Sequence, residues 1–120
     1  MSTPKTVSVE LTMKVKNAAN VEEARRVLLL GSTEAQATQL FPQNILPNLA
    51  NVQLALGGVT QAKWALIEVD QEVTLKLNQI ADTGFPMKGI ALIQSYSGIT
   101  SIYVSTGPNA TCVNLLAIGS

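Results

Sequence analysis

The chain alternates apolar and polar residues over long stretches, a pattern typical of β-strands with one covered face. In residues 6–16, apolar side chains occupy the odd positions and polar side chains the even positions, without a break. At about 3.3 Å per residue this stretch spans roughly 36 Å, close to the diameter of a compact domain of this length. We therefore expect residues 1–16 to form an N-terminal strand that bends, pairs at a sheet edge, or extends as an arm.

A second long alternation covers residues 64–78. Apolar residues take the odd positions from 65 to 77 except at Gln71, and polar residues take the even positions except at Trp64 and Leu66. The parity is kept across Asp70 and Gln71. One long bent strand and two strands joined near Asp70 both fit this pattern.

Three shorter apolar stretches follow, beginning at residues 90, 99 and 111, with turn compositions between them. Strands at spacings of about 10 residues are typical of antiparallel sandwiches and barrels. We expect a single β-rich domain over residues 1–120, with an antiparallel meander over residues 61–120. The predicted fold class is mainly β, an antiparallel β-sandwich or a jelly-roll-like barrel.

Residues 17–51 predict the remaining elements. Asn20 and Glu23 form a capping-box-like pair, and the apolar residues after them recur at helical spacing, so we expect one short helix over residues 21–30. The apolar run inside that segment also fits a buried strand. Residues 32–51 hold two prolines and three asparagines and predict a long irregular loop, in which residues 33–39 could form one or two helical turns.

The composition indicates how much of the surface meets water. Apolar residues make up 47% of the chain and charged residues only 13%, whereas soluble domains average about 25% charged residues. Either part of the surface contacts protein, or Thr, Ser, Asn and Gln cover a β-rich surface. The strand that begins at Thr111 is apolar on both faces, as a strand under a covering layer or at a subunit interface would be. The candidate assembly surface comprises Val7, Val9, Leu11, Met13, Leu116 and Ile118.

Eight basic and eight acidic residues cancel, so we expect no long-range attraction to nucleic acid or to an anionic membrane. The apolar runs are too short for a membrane span, and residues 1–10 lack the apolar core of a signal peptide. We expect the chain to be made and kept in a cytosol, or assembled there into a larger particle.

The residue types of common catalytic sites are missing. The chain has no histidine and one cysteine, Cys112, which excludes an internal disulfide and Ser-His-Asp or Cys-His sites. We interpret Cys112 as a small buried hydrophobic residue, and we expect no cofactor and no enzymatic activity. Trp64 with Tyr96 or Tyr103 could form a small carbohydrate platform, although a core position is the more common environment of a tryptophan.

Glu68, Asp70 and Glu72 form the one acidic group with regular spacing. In an extended strand they would share a face, with about 7 Å between neighbours. Two of them could share a Ca²⁺ ion, or could act as a general acid and base. An acidic face exposed to water is the ordinary alternative.

Residues 70–120 carry a series of short motifs: the Leu/Val alternation of 73–77, then "FPMKG" at 85–89, "ITSIYV" at 99–104 and "LLAIG" at 115–119. In these motifs and their order, this part of the chain resembles the small virion structural proteins of tailed bacteriophages, of the capsid decoration, cement, neck or tail accessory type. The resemblance implies a non-enzymatic β-sandwich subunit that assembles, often as a trimer. It also implies binding to other virion proteins, such as the major capsid protein, and a place in the virion after synthesis in the host cytoplasm.

A second class of function stays open at this point. The chain could be a receptor- or glycan-binding head module of a tail or fibre, which an exposed Trp64 beside Tyr96 or Tyr103 would favour. The first half of the chain resembles no family, and the resemblance assigns no binding residue.

Overall fold

The computed structural model describes residues 5–34, 36–37 and 41–119, with the side chains of all of these except 5, 7, 30–34, 36–37 and 41. This part of the chain is mainly β and antiparallel, and it contains no helix. Its nine strands form two sheets. In chain order they are β1 (Lys5–Lys16), β2 (Glu22–Glu34), β3 (Gln36–Ala37), β4 (Phe41–Ile45), β5 (Val52–Gln53), β6 (Ala62–Leu77), β7 (Phe85–Ile99), β8 (Ile102–Thr106) and β9 (Thr111–Gly119).

The first sheet has two strands, β1 and β2, and is called the hairpin arm below. The strands pair along their whole length, from Lys5 opposite Glu34 to Lys16 opposite Glu22, with one irregularity next to Lys16. Of the N-terminal strand predicted over residues 1–16, the part from Lys5 to Lys16 is therefore confirmed, and residues 1–4 lie outside the described residues. Its partner is the segment that directly follows it in the chain.

The turn of the hairpin arm explains why the predicted helix over residues 21–30 is wrong. The side-chain Oδ1 of Asn17 accepts hydrogen bonds from the backbone N–H groups of Ala19 at 2.9 Å and Val21 at 3.1 Å. Asn20 adopts a left-handed backbone conformation with φ of 64°, which asparagine tolerates better than most residues. Both asparagines thus build a hairpin turn instead of a helix cap, and the alternative of a strand in this segment is confirmed, although the strand is exposed.

The other seven described strands form one sheet, called the curled sheet below. β6 is its central strand, and β7 pairs along one side of it. On the other side, β9 pairs with the first half of β6 and β8 pairs with the second half. β3 and β4 continue the sheet beyond β9, and β5 continues it beyond β8.

The central strand β6 is continuous but bends at a bulge between Val69 and Val73. Ala62 at its start pairs with Ile99, and Leu77 at its end pairs with Ile102. Three residues along a chain reach at most about 11 Å, whereas a straight strand of 16 residues would be about 50 Å long. The two ends of β6 therefore lie close together and the sheet forms a half-barrel, which confirms the alternative of one long bent strand.

The inner face of the half-barrel holds the hydrophobic core. Odd positions of β6 and β9 and even positions of β8 point into it, as the alternation of strand side chains requires. Fully burying each of the larger side chains contributes about 1.5–3 kcal/mol. The largest apolar residues with full burial are Ile67, Leu75, Ile99, Ile102, Val104, Val113 and Leu115.

The loop predicted over residues 32–51 is wrong in part, because it contains the end of β2 together with β3 and β4. β4 is an edge strand that pairs with β9, and an edge strand tolerates Pro42 and its missing N–H. Residues 46–51 remain irregular. Composition alone did not reveal this long-range pairing.

The strand order over residues 62–119 also differs from the predicted meander. β8 pairs with β6 instead of β7, and β9 pairs with β6 and β4 instead of β8. This order follows from the curl, which brings the two ends of β6 close together. Two residues between Ile99 and Ile102 are then enough to lead the chain from β7, beside the start of β6, to β8, beside its end. Asn78 fixes this crossing, since its Oδ1 accepts a hydrogen bond from the backbone N–H of Thr100 at 2.7 Å.

The molecule is more extended than a compact chain of its length. Its radius of gyration is 16.1 Å, whereas a compact chain of 120 residues has a radius of gyration of about 14 Å. The hairpin arm contributes to this extension, because most of its described side chains are exposed on both faces. A single domain over residues 1–120 stays a prediction.

Candidate assembly surface

The outer face of the curled sheet, opposite the core, carries a continuous group of apolar side chains. On β6, Leu66 lies directly between Leu116 of β9 and Leu92 of β7. The adjacent rows add Ile118 beside Trp64, and Ile90 beside Glu68. Strand neighbours lie about 4.8 Å apart, so these side chains form one patch. We call it the apolar face: Leu66, Ile90, Leu92, Leu116 and Ile118.

The base of the hairpin arm lies over part of the apolar face. Residues 8–11 line one side of a cavity of about 330 Å³, and Trp64 and the apolar face line the other side. Trp64 is only 3% exposed. The apolar face is thus partly covered by the chain's own first strand, with open space left between the two layers.

Coverage of the apolar face is uneven. Leu66, Leu116 and Ile118 are half-buried, whereas Leu92 is exposed and Ile90 is 69% exposed. The covered part belongs to β9 and β6, and the uncovered part belongs to β7. A layer wider than the arm base would be needed to cover the whole face.

The structure brings together most of the predicted assembly residues. Leu116 and Ile118 lie on the apolar face, and Val9 and Leu11 line the opposite side of the same cavity. Met13 lies farther along the hairpin arm, where it is 63% exposed. The side chain of Val7 lies outside the described part of the structure.

The sequence prediction missed Leu66, Ile90 and Leu92. One signal was present, because Trp64 and Leu66 are the two apolar residues at even positions between residues 64 and 78. Even positions of this strand point away from the core, so these exceptions mark an outer face that is covered. Ile90 and Leu92 join the patch only through the register between β6 and β7, which the sequence does not display.

Beyond residue 11, the hairpin arm exposes apolar side chains on both faces. They lie next to polar or charged residues, and Met13 is the most exposed of them at 63%. At the arm base, Leu29 lies opposite Glu10 and is 67% exposed. Large apolar side chains normally lose contact with water when a protein folds, because their burial is favourable. The exposed apolar residues of this distal part are Met13, Val15, Val21 and Val27.

Charge is distributed unevenly between the two sheets. The hairpin arm carries five basic and four acidic residues, and residues 41–119 carry three basic and four acidic residues. Lys14 lies directly opposite Arg25 across the hairpin, a like-charge pair that is unfavourable on its own. Arg25 contacts Glu22 at 3.7 Å, the sole ion pair among the described side chains, so Lys14 forms no ion pair with a described residue.

The candidate calcium residues Glu68, Asp70 and Glu72 are not brought into one group. The bulge between Val69 and Val73 interrupts their alternation, and Asp70 Oδ1 accepts a hydrogen bond from the backbone N–H of Cys112 at 2.9 Å. Among the described residues, no three acidic, histidine or cysteine side chains cluster as metal ligands. Glu68 remains on the outer face next to the apolar face, and Glu72 is exposed.

The aromatic residues considered for carbohydrate binding are also dispersed. Trp64 is buried beneath the hairpin arm, Tyr103 is half-buried on β8, and Tyr96 is fully exposed. Tyr96 lies in a bulge of β7, and its backbone carbonyl accepts a hydrogen bond from Lys63 Nζ at 3.0 Å. A stacking platform that includes Trp64 is therefore not available at the surface.

No protein-family model, curated protein or solved structure matches the chain. Within the described residues, no helix is long and apolar enough to cross a membrane. Functional inference therefore depends on the surface of the molecule itself: an exposed hairpin arm and a partly covered apolar face.

Proposed function

We propose that this protein is a non-enzymatic structural component of a phage virion, which acts by self-assembly and protein contact on the capsid or on its neck or tail. Its partners are further copies of itself and other virion proteins such as the major capsid protein. The family resemblance of residues 70–120 supports the virion part of this proposal. The surface of the molecule supports the assembly part.

The observation that carries the proposal is the exposure of large apolar side chains on the hairpin arm. Contiguous exposed apolar surface in a soluble protein usually marks a protein interaction site. A projecting two-stranded sheet is also marginally stable without a covering layer. Both properties are expected of a segment that becomes buried when copies of the protein assemble.

The finer architecture belongs to the same proposal. A second layer over the outer face of the curled sheet would convert the half-barrel into a β-sandwich, which is the fold that the resemblance implies. The base of the hairpin arm supplies part of that layer. A trimer is the oligomer that we propose.

The alternative of a receptor- or glycan-binding head module receives less support. An exposed Trp64 beside Tyr96 or Tyr103 would favour this alternative, but Trp64 is buried. Tyr96 is exposed, but the described residues place no second exposed aromatic side chain next to it in the bulge.

Native mass spectrometry and light scattering of the purified protein test the proposal. We expect a discrete oligomer, with the trimer as the principal species, at high micromolar concentration. Mass spectrometry of purified particles should detect the chain as a virion component. A monodisperse monomer at the same concentration would overturn the assembly proposal.

A further inference from the structure

We infer that the distal part of the hairpin arm of one copy, residues 12–27, binds the apolar face of the curled sheet of a second copy. This inference rests on the proposed self-assembly and specifies its interface. The donor surface and the acceptor surface lie on different parts of the same chain.

The acceptor surface already lies opposite one β-ribbon, the base of the chain's own hairpin arm. Val9 and Leu11 of the chain's own arm lie over Trp64 and Leu66, so a β-ribbon fits above this face. Ile90 and Leu92 border the same cavity but stay 69% and 42% exposed, so the arm base leaves them largely open to water. This part of the face therefore offers apolar surface to a second ribbon.

The donor surface has the same row of apolar side chains as the arm base. Met13 and Val15 continue the row of Val9 and Leu11 at the same period of two, so they present the same face of β1. Val9 is half-buried and Leu11 is 42% exposed, whereas Met13 and Val15 farther along are 63% and 54% exposed. A second copy of the acceptor surface would bury the distal residues in the same way.

Charges on the two surfaces are complementary. Arg26 lies directly opposite Met13 across the hairpin, on the same face of the arm, and it forms no ion pair with a described side chain. Beside Ile90, the acceptor surface carries Glu68, and Glu68 has no ion pair with a described side chain. Opposite charges around an apolar centre fix the orientation of two partners and disfavour like-charged contacts.

Docking on the face is preferred to pairing at the free edge of the curled sheet. Among the described residues, β7 pairs with β6 alone, so its other edge is open. That edge carries Pro86, Lys88 and Gly89 with φ of 94°, followed by the bulge at residues 95–98. Proline, lysine and bulges are the features that keep sheet edges from pairing with another chain.

The interface is heterologous, because the arm of one copy contacts a different surface of the next. Heterologous contacts close into rings when the rotation between subunits allows it. A ring of three copies is one such closure, in agreement with the proposed trimer. Each copy would then give one arm and receive one arm.

A complementation experiment tests this arrangement. Met13→Asp disables the donor surface, and Ile90→Lys disables the acceptor surface, with Ile90→Thr as a milder acceptor variant. Both residues are exposed, so folding should be kept, which circular dichroism verifies. Leu46→Lys is the matched control, because Leu46 is 68% exposed and lies outside both surfaces.

We expect each variant alone to lose the oligomer, with the assembly midpoint moved at least about tenfold upward in concentration, the effect of about 1.4 kcal/mol. A mixture of the two variants should form a one-to-one dimer, because one intact arm meets one intact face. The control should assemble like the wild type. Glu68→Lys should also weaken assembly, and Arg26→Glu in the same chain should restore it.

Two outcomes would overturn the inference while the self-assembly proposal stands. One is a wild-type oligomer that Ile90→Lys leaves intact. The other is a mixture of the two variants that stays monomeric although the wild type assembles. A monomeric wild type would instead overturn the proposed self-assembly itself.

Discussion

In the hairpin arm Met13 is largely exposed, whereas Leu115 on β9 of the curled sheet is fully buried. Both residues belong to a row of apolar side chains at every second position of their strand, and both strands pair with an antiparallel neighbour. The difference lies in what faces each strand. The inner face of the curled sheet is closed by its own curvature, while the distal arm has no described layer on either side.

Alternation therefore predicts a strand with an apolar face, but it does not predict which molecule covers that face. In the curled sheet the bend of β6 brings two halves of one sheet against each other. In the hairpin arm, a short turn joins β1 and β2. The two strands form a single layer, which does not curl round to cover its own faces. Four substitutions, given from the largest expected effect to the smallest, test this contrast.

Leu115→Ala should have the largest effect, because it removes most of a fully buried side chain and leaves a cavity in the core. We expect the free energy of unfolding to fall by about 2–5 kcal/mol. Leu29→Ala in the hairpin arm should change it by less than about 0.5 kcal/mol. Urea unfolding, at a concentration where the chain is monomeric, measures both. Equal losses for the two variants would remove the contrast between the regions.

Gly84→Ala tests the turn that joins β6 to β7. Gly84 has φ of 76°, and an added Cβ would lie 2.6 Å from the carbonyl oxygen of Leu75. We expect a loss of about 1–3 kcal/mol, because the left-handed backbone and this backbone contact both oppose a side chain. Gly58→Ala is the control, since a Cβ at Gly58 meets no atom within 4 Å. Thermal unfolding that ranks the two variants equally would contradict the described turn.

Asp70→Ala removes the acceptor of the hydrogen bond from the backbone N–H of Cys112, at the bend of the curled sheet. We expect the free energy of unfolding to fall by about 0.5–1.5 kcal/mol. Asp70→Asn keeps an oxygen at this place and should recover most of the loss. Glu72→Gln, at an exposed neighbour, should be neutral in the same urea titration. A larger loss for Glu72→Gln would show that the acidic residues act together.

Asn17→Ala should have the smallest global effect. It removes the acceptor for the N–H groups of Ala19 and Val21 and so loosens the hairpin turn. We expect faster hydrogen exchange in the arm amides, unchanged exchange in the curled sheet, and a change of less than about 0.5 kcal/mol in global unfolding. A global loss above about 1 kcal/mol would mean that the arm and the curled sheet unfold as one unit.

The strands that the sequence predicted best are those with the longest alternation. β1 and β6 fall into this group, because period two is a local property that survives in any tertiary context. The segment after Asn20 was misread, since Asn20 and Glu23 suit a helix cap as well as they suit a hairpin turn. The choice between the two depends on pairing with β1, which no short window of sequence contains.

The candidate surface was predicted in part for a similar reason. Leu116 and Ile118 were identified because their own strand is apolar on both faces. Ile90 and Leu92 were not, because β7 alone carries no sign of which strands lie beside it. The exceptions at Trp64 and Leu66 were the available signal that the outer face of β6 is covered.

The position of β9 has a consequence for the order in which the molecule can form. This strand lies between β6 and β4, yet it follows every other described strand in the chain. The core therefore cannot close during synthesis until residues 111–119 have emerged, whereas a local hairpin forms within about 10 µs. During synthesis, the arm is therefore complete and exposed before the curled sheet beside it has formed.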